Sequence, residues 1–385
     1  MPASLTSPLP AQRLNDEKLF YVDNIRIVLT ILVILHHAYI TYGAPGGWYY
    51  KEPTTNIAAL IPLTLFVSIN QSFFMGFFFL LAGFFSYSSY HRKGTQKFIT
   101  DRVTRLGIPL IFYSFIFSPF LSFLVYRFGK EQPISYYQYL ATFDDWIDFG
   151  VLWFVAALLL FTIVYVMCGK LFIKWTKKQL PAPTIKTIML TALIVGILSF
   201  IVRTIFPVGW VLKPLGFQLG YFSQYVSLFI IGLLAAKNQW LKHLTYKTGK
   251  QALKIALLLF LFFPVFYVIK TKLNIPIEWY SGGFNVFSLL YAIWEQCIGF
   301  AIITAFLAIG KQRWNTSSYL LSYMSRRAFA VYIFHPVVLI ALALILRNWI
   351  ADPALKLLLV APLAVIGSFV LGAIVLWLPG TKRII

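Results

Sequence analysis

The sequence contains little charge, and acidic residues are especially few. Of its 385 residues 12% are charged, with 12 Asp or Glu against 33 Lys or Arg. A soluble globular domain has about 25% charged residues, so the composition argues against a water-soluble protein. The net charge of +21 does not indicate nucleic-acid binding either, because the basic residues lie in short segments between long apolar runs. In such positions they set the orientation of a membrane protein.

Cysteine is also scarce. Cys168 and Cys297 both lie inside apolar runs, so the sequence contains neither a disulfide framework nor a thiolate metal site. The histidines are His36, His37, His91, His243 and His335. Because the first two have no further ligand at close helical spacing, we expect no metal site, and no tightly bound cofactor is expected either.

Long apolar segments are what the chain has in abundance. Hydrophobic residues make up 59% of it, and its mean hydropathy is +0.78. Runs of roughly twenty apolar residues, each long enough to cross a bilayer core of about 30 Å, recur along the sequence. They lie at 25–42, 60–88, 106–126, 151–173, 187–206, 221–236, 255–273, 287–309, 328–346 and 356–378. The second is long enough to be tilted or broken, and the polar pair Asn70 and Gln71 interrupts it.

We therefore expect an all-α, polytopic integral membrane protein of about ten transmembrane helices, located in a cell membrane. Lys and Arg concentrate in the connections after the even-numbered spans, so the positive-inside rule places both termini in the cytoplasm. The expected organisation is a single membrane domain over 1–385, comprising a cytoplasmic N-terminal segment at 1–24, a transmembrane bundle at 25–378 and a cytoplasmic tail at 379–385.

Acidic residues fall mostly in the other set of connections. The longest of these, about 128–150, contains Asp144, Asp145 and Asp148, which are predicted to form a solvated acidic face. Residues 1–18 are polar and contain no apolar core, so the first span is expected to act as an uncleaved anchor.

Two ionisable residues lie on the same face of the first predicted span. Arg26 and His37 are eleven residues apart, which returns to nearly the same helix face about 16 Å further along the axis. Ionisable groups inside a membrane are expensive to bury and therefore indicate function. Asp23 lies one turn before Arg26, and the neighbouring His36 points to another face, which indicates a structural role.

A second cationic motif precedes the third span. Arg102 and Arg105, in DRVTRLGIPL, are three residues apart, so both guanidinium groups can face one anion such as a phosphate. The alternative is that they only determine topology.

Other candidates each have two interpretations. Glu295 lies deep in a predicted span, where it can orient His37 or contact a sugar hydroxyl, or else form a structural ion pair with Arg203. His335, shortly after Tyr332 and just before a proline, marks either a substrate site or a helix kink. Trp153 can stack on a sugar or belong to an interfacial aromatic belt.

Taken together, these segments resemble the acyltransferase 3 family of membrane O-acyltransferases over nearly the whole chain. The resemblance rests on YVDNIRIVLTILVILHHA, FFMGFFFLLAGFFSY, DRVTRLGIPL, LWFV at 152–155 and AVYIFHPVV. Within the family the chain looks most like the glucan biosynthesis protein C branch, which adds succinyl groups to periplasmic glucans. The family's Arg-x10-His pattern matches Arg26 and His37, and its Arg-x-x-Arg pattern matches Arg102 and Arg105.

The resemblance implies transfer of an acyl group, acetyl or succinyl, from cytoplasmic acyl-CoA to a hydroxyl of a cell-envelope carbohydrate or glycolipid. His37 and Arg26 would be catalytic, and Arg102 and Arg105 would bind the donor. His37, which burial keeps neutral, would take the acceptor's proton or would itself carry the acyl group, and both routes stay open. Many family members have a fused extracellular esterase-like domain. This sequence lacks one, so transfer is expected to finish in the bundle or to involve a separate extracytoplasmic transferase.

The main alternative function is a proton-coupled secondary transporter or a glycan flippase, which would also use buried Arg, Glu and His. An enzyme should bring Arg26, His37, Arg102 and Arg105 to one cavity open to the cytoplasm, whereas a carrier should centre its polar residues at the midplane. A non-catalytic scaffold would leave those residues scattered.

Overall fold

The computed structural model describes residues 19–169 and 178–384. Within this part of the chain the regular secondary structure is helical, and an isolated bridge between Leu212 and Phe217 is the only β-type pairing. Ten helices are long and apolar enough to cross a membrane. They are α1 (Phe20–Thr41), α2 (Ile57–Lys93), α3 (Thr95–Gly129), α4 (Gly150–Met167), α5 (Ile185–Arg203), α6 (Leu219–Lys237), α7 (Tyr246–Lys272), α8 (Val286–Arg313), α9 (Ala328–Leu346) and α10 (Pro353–Val375).

The predicted all-α membrane fold with ten spans is thus confirmed. Short helices in the connections are Tyr136–Ala141, Trp240–His243, Glu278–Ser281, Tyr319–Ser325 and Thr381–Ile384. The end of the fourth predicted span and most of the predicted segment 1–24 lie outside the described residues. The division of the chain at residues 24 and 378 and the cytoplasmic position of both termini stay predictions.

Helix α2 is broken in the middle, as its length and polar interruption predicted. Its two halves, Ile57–Gln71 and Phe74–Lys93, are separated by two residues. The carbonyl of Ser72 at the break accepts a hydrogen bond from Gln224 Nε2 on α6, at 2.7 Å. Gly299 of α8 lies so close that a Cβ there would stand 2.0 Å from the same carbonyl oxygen. Protein groups therefore satisfy the interrupted backbone away from lipid.

Glycines let α2 and α6 approach backbone to backbone. A Cβ at Gly83 would lie 2.2 Å from the carbonyl oxygen of Phe229, and one at Gly232 would lie 2.1 Å from that of Leu80. Small residues at such crossings are the usual means of close packing between membrane helices.

Helix α1 occupies a central place in the bundle. It packs against α2, α8, α9 and α10, and its buried side chains include Ile25, Leu29, Val33 and Ile34. Helix α7 instead packs mainly against α8 and exposes most of its apolar surface, as a lipid-facing helix does. A polar residue on the inner faces of α1 is thus surrounded by protein.

Candidate active site

Three aromatic rings from three parts of the chain meet near the C-terminal end of α1. The His37 imidazole lies against the indole of Trp48, with centroids 4.0 Å apart and planes 19° apart. On α9, the His335 ring lies 5.4 Å from His37, and its plane is tilted by only 17°. Trp48 belongs to the connection between α1 and α2. The structure thus brings His37 next to His335, a residue for which the sequence left two roles open.

Each of the three rings has a buried nitrogen that lacks a hydrogen-bond partner among the described residues: His37 Nδ1, Trp48 Nε1 and His335 Nε2. An unsatisfied buried polar group costs about 1–3 kcal/mol. Such groups are few in native proteins, and a cluster of them calls for an explanation. A polar substrate that binds among the three rings would supply the missing partners.

The tautomer of His335 follows from its neighbours. Its Nδ1 lies 2.8 Å from the carbonyl oxygen of Tyr332. A carbonyl only accepts, so Nδ1 carries the hydrogen, and in the neutral ring Nε2 holds the free electron pair. That carbonyl is available because Pro336, four residues on, has no N–H to donate to it. Pro336 and the hydrogen bond of His335 are therefore parts of one arrangement, so a role of His335 in the helix geometry is compatible with a role in a substrate site.

Tyr332 supports the same region from α9. Its hydroxyl donates a hydrogen bond to the carbonyl of Val151 at the start of α4. Trp153, two residues further, instead packs against Tyr225 of α6, with centroids 5.5 Å apart and planes tilted by 30°. Trp153 is only partly buried, but its described contacts do not place it beside His37.

Two tyrosine hydroxyl groups lie next to Trp48. Tyr49 meets Trp48 edge to face with centroids 5.3 Å apart, and its hydroxyl lies 3.0 Å from that of Tyr113. Burial, and secondarily the Asp148 carboxylate, raises the pKa of Tyr49 well above its usual range. The Tyr49 hydroxyl therefore stays protonated and can donate a hydrogen bond at any physiological pH.

Asp148 was predicted to be part of a solvated acidic face, and that prediction is wrong. Its carboxylate accepts hydrogen bonds from Ser118 Oγ at 2.6 Å and from the Gly150 backbone N–H at 2.8 Å. Asp144 and Asp145 are exposed, as predicted. The aspartates differ because Asp148 alone reaches α3, where serine hydroxyls replace water.

His36 has the structural role that its position predicted. Its ring stacks on Phe74 with centroids 4.8 Å apart, and its Nδ1 lies 3.2 Å from Asn70 Nδ2. The same amide nitrogen donates to the Leu32 carbonyl at 3.2 Å. Asn70, at the break of α2, thus links α2 to α1 by hydrogen bonds at the residue that precedes His37 and one turn before it.

Arg26 lies about 16 Å from His37 along α1. Its guanidinium pairs with Asp23 at 3.4 Å, one turn further towards the N-terminal end of the helix. Side chains of a helix lean towards its N-terminus, so the Arg26 guanidinium is directed away from His37. The catalytic role of Arg26 stays a prediction.

Arg102 and Arg105 differ in environment. Arg102 is partly buried, donates to Ser86 Oγ at 3.1 Å and lies over the Phe98 ring, whereas Arg105 is exposed. A π-helical turn, Val103–Gly107, begins directly after Arg102 and contains Arg105. Such turns inside α-helices are frequent at functional sites.

Gly94 joins α2 directly to α3, so both arginines lie at the same side of the bundle as the first turns of α1, where Arg26 is located. The three arginines therefore lie at the same side of the bundle, and His37 lies about 16 Å further along α1.

Glu295 belongs to a different buried cluster. Its carboxylate pairs with Arg203, and both side chains are essentially inaccessible. Arg203 Nε also donates to the Gly220 carbonyl at 3.0 Å, and Gln296 Nε2 donates to Glu295 at 3.1 Å. Of the interpretations given to Glu295, the structural ion pair is the one that the structure shows.

Comparison with known proteins identifies the protein family. The model of the acyltransferase 3 family, described as an acyltransferase domain, matches residues 19–377. The chain belongs to the acyltransferase 3 family. Relatives named glucans biosynthesis protein C, from Salmonella paratyphi B, Salmonella enteritidis PT4 and Salmonella choleraesuis, are each 23% identical over 331 residues, covering 82% of this chain and 81% of theirs. No solved structure matches the chain. This multi-pass membrane protein is thus an acyltransferase.

For an acyltransferase, the ring cluster offers suitable chemistry. Acyl transfer to a hydroxyl needs a base for the hydroxyl proton and a donor for the negative charge that develops on the carbonyl oxygen. His37 and His335 supply ring nitrogens of the first kind, and Trp48 supplies an N–H of the second. Trp48 was missed in the sequence, although GGWYY follows directly after the span that carries His37.

Proposed function

We propose that this acyltransferase moves a short acyl group, acetyl or succinyl, from cytoplasmic acyl-CoA to a hydroxyl of a cell-envelope carbohydrate or glycolipid in a bacterial cytoplasmic membrane. The observation that carries the proposal is the stacked pair of His37 and His335, in which each ring has one buried nitrogen without a hydrogen-bond partner among the described residues. Family membership supplies the reaction class, and the names of the relatives point to a glucan acceptor.

The donor would enter at the side where the arginines stand. Arg102 and Arg105 would bind its phosphates, with Arg26 close to them in depth. The thioester must then reach His37, about 16 Å further along α1. The long flexible arm of coenzyme A suits that separation, since the charged nucleotide can stay at the rim while the acyl end enters the bundle. No tightly bound cofactor is needed.

His37 would take the proton of the acceptor hydroxyl as its oxygen attacks the thioester carbon, or would first carry the acyl group itself. His335 would complete the site. In that role His335 would be a second ring that can accept a proton.

The test is mass spectrometry of surface polysaccharides and membrane glycolipids from a host that lacks the gene. The gene is restored as wild type, as His37→Ala or as His91→Ala, which alters an exposed histidine. We expect an acyl mass to vanish on deletion and to return with wild type and His91→Ala only. Full restoration by His37→Ala would refute the role of His37. Unchanged acylation together with a glycan that accumulates inside would support transport instead.

A second measurement separates the two routes. Purified protein is given radiolabelled acetyl-CoA or succinyl-CoA without acceptor and is then denatured. Label that stays on wild type but not on His37→Ala indicates an acyl-histidine, whereas unlabelled protein with intact transfer activity indicates direct attack. If transfer requires a separate extracytoplasmic transferase, the purified protein will acylate no carbohydrate while intact cells do.

A further inference from the structure

We propose that Trp48 is a catalytic residue: its indole N–H donates a hydrogen bond to the acyl carbonyl oxygen while that oxygen becomes negatively charged. The proposal rests on the acyl transfer proposed above, and it gives the site an N–H donor for the oxyanion beside the two histidines, whose ring nitrogens would accept the proton.

The position and hydrogen-bonding state of the indole nitrogen support this role. Trp48 lies 4.0 Å from His37 and 6.1 Å from His335, measured between ring centroids. Its Nε1 is buried and has no acceptor among the described residues. Indole nitrogen can only donate, so the ligand atom that satisfies it must be an acceptor such as a carbonyl oxygen. A buried donor beside two proton acceptors matches what an attacked thioester requires.

The connection that carries Trp48 is held to neighbouring parts of the protein at several points. The backbone N–H of Glu52 donates to the Thr41 carbonyl at 2.7 Å, and the carboxylate of Glu52 pairs with the buried Lys356 of α10. Thr54 Oγ1 donates to the Asp352 carboxylate at 3.1 Å. An oxyanion donor is effective when it is held in place before the reaction, because no reorganisation is then needed in the transition state.

In the proposed step, the acceptor oxygen forms a bond to the thioester carbon while an imidazole nitrogen takes the hydroxyl proton. The electron pair of the carbonyl double bond moves onto the carbonyl oxygen, which accepts a hydrogen bond from the Trp48 N–H. The pair then returns, the carbon–sulfur bond breaks, and the imidazolium proton passes to the coenzyme A sulfur. Trp48 makes and breaks no covalent bond.

The test compares Trp48→Phe with wild type. Phenylalanine keeps an aromatic ring on His37 but has no N–H. Inverted membrane vesicles that carry the full-length protein and the host's own acceptors are given radiolabelled acetyl-CoA or succinyl-CoA, and label on carbohydrate is measured. We expect kcat to fall by about 10²–10³ with the donor KM nearly unchanged, as on removal of one oxyanion donor. Trp349→Phe, at an exposed tryptophan outside the ring cluster, should match wild type.

Rates are normalised to folded protein by size-exclusion chromatography in detergent. Trp48→His restores a ring N–H and should exceed Trp48→Ala at least tenfold, a comparison that does not depend on the folding of Trp48→Phe. A Trp48→Phe rate within threefold of an active wild type would overturn the proposal and leave the indole a packing role. Absence of label with wild type would instead refute the proposed function.

Discussion

The imidazole of His335 stacks against that of His37, with ring centroids 5.4 Å apart. The two residues come from α9 and α1, and the Nδ1–H of His335 is held by the Tyr332 carbonyl that Pro336 leaves free. This arrangement directs the free electron pair of His335 Nε2 away from its own helix. In the proposed reaction His335 would therefore be a second proton acceptor beside His37.

Asparagine at position 335 should separate the two functions of the histidine. His335→Asn retains an N–H near the position of Nδ1 and can still donate to Tyr332, but it lacks the nitrogen at the Nε2 position. We expect transfer activity to fall by about 10²–10⁴, the contribution of general acid–base catalysis, while thermal stability changes little. Activity is measured as acyl incorporation in membrane vesicles, and stability as the melting temperature in detergent.

His335→Ala is the companion variant, because it removes the hydrogen bond to Tyr332 as well. It should be as inactive as His335→Asn and also less stable. If His335→Asn is fully active and His335→Ala is not, the histidine acts only through the helix geometry of α9.

Asn70 offers a contrasting case, in which stability should change but chemistry should not. Asn70→Leu removes the hydrogen bonds to His36 Nδ1 and to the Leu32 carbonyl. Leaving buried partners unsatisfied costs about 1–3 kcal/mol each, so the melting temperature should drop. The rate per folded molecule should remain near wild type. A loss of kcat in fully folded protein would show that His36 has a role beyond packing.

The fold was largely predictable because membrane spans are encoded locally. Each span is one apolar run long enough for the bilayer, and the polar pair at Asn70 marked the break in α2. The axial separation of Arg26 and His37 also follows from the geometry of a single helix. Features that depend on one helix alone could therefore be read from the sequence.

The partners of His37 could not be predicted in the same way. Trp48 and His335 reach it from a connection and from a distant helix, and no periodicity within one segment indicates which helices are neighbours. Asp148 shows the same limit: a group of three aspartates looks solvated until Ser118 of α3 is placed beside one of them. Likewise, the π-helical turn that follows Arg102 and contains Arg105 leaves no simple mark in the sequence.

The environments of Arg102 and Arg105 predict different effects of mutation. Arg105→Ala removes an exposed guanidinium and should raise the donor KM severalfold with little change in stability. Arg105→Lys should recover part of the affinity, since it keeps the charge but not bidentate binding. Arg102→Ala should raise KM and also lower the melting temperature, because Ser86 and Phe98 lose their partner.

The measurement is the dependence of the initial rate on acetyl-CoA or succinyl-CoA concentration, at low and at high salt. Exposed charges are screened by salt, so the wild-type KM should rise with ionic strength and that of Arg105→Ala should rise less. An equal salt response in both proteins would argue that Arg105 determines topology only.

The ion pair between Arg203 and Glu295 is expected to control stability more than catalysis. Both side chains are buried, so removing one partner leaves an isolated charge inside the bundle. Glu295→Leu alone should destabilise the protein by about 3–5 kcal/mol, and Arg203→Met alone by a similar amount. The double variant should regain most of the lost stability, because two apolar residues of similar volume can replace a buried pair.

Thermal unfolding in detergent of the wild type, both single variants and the double variant tests this as a mutant cycle. If the double variant is stable but has lost acyl transfer, Glu295 takes part in the reaction, as a contact with a sugar hydroxyl would require. If it is stable and active, the pair is structural and the chemistry belongs to the cluster of His37, Trp48 and His335.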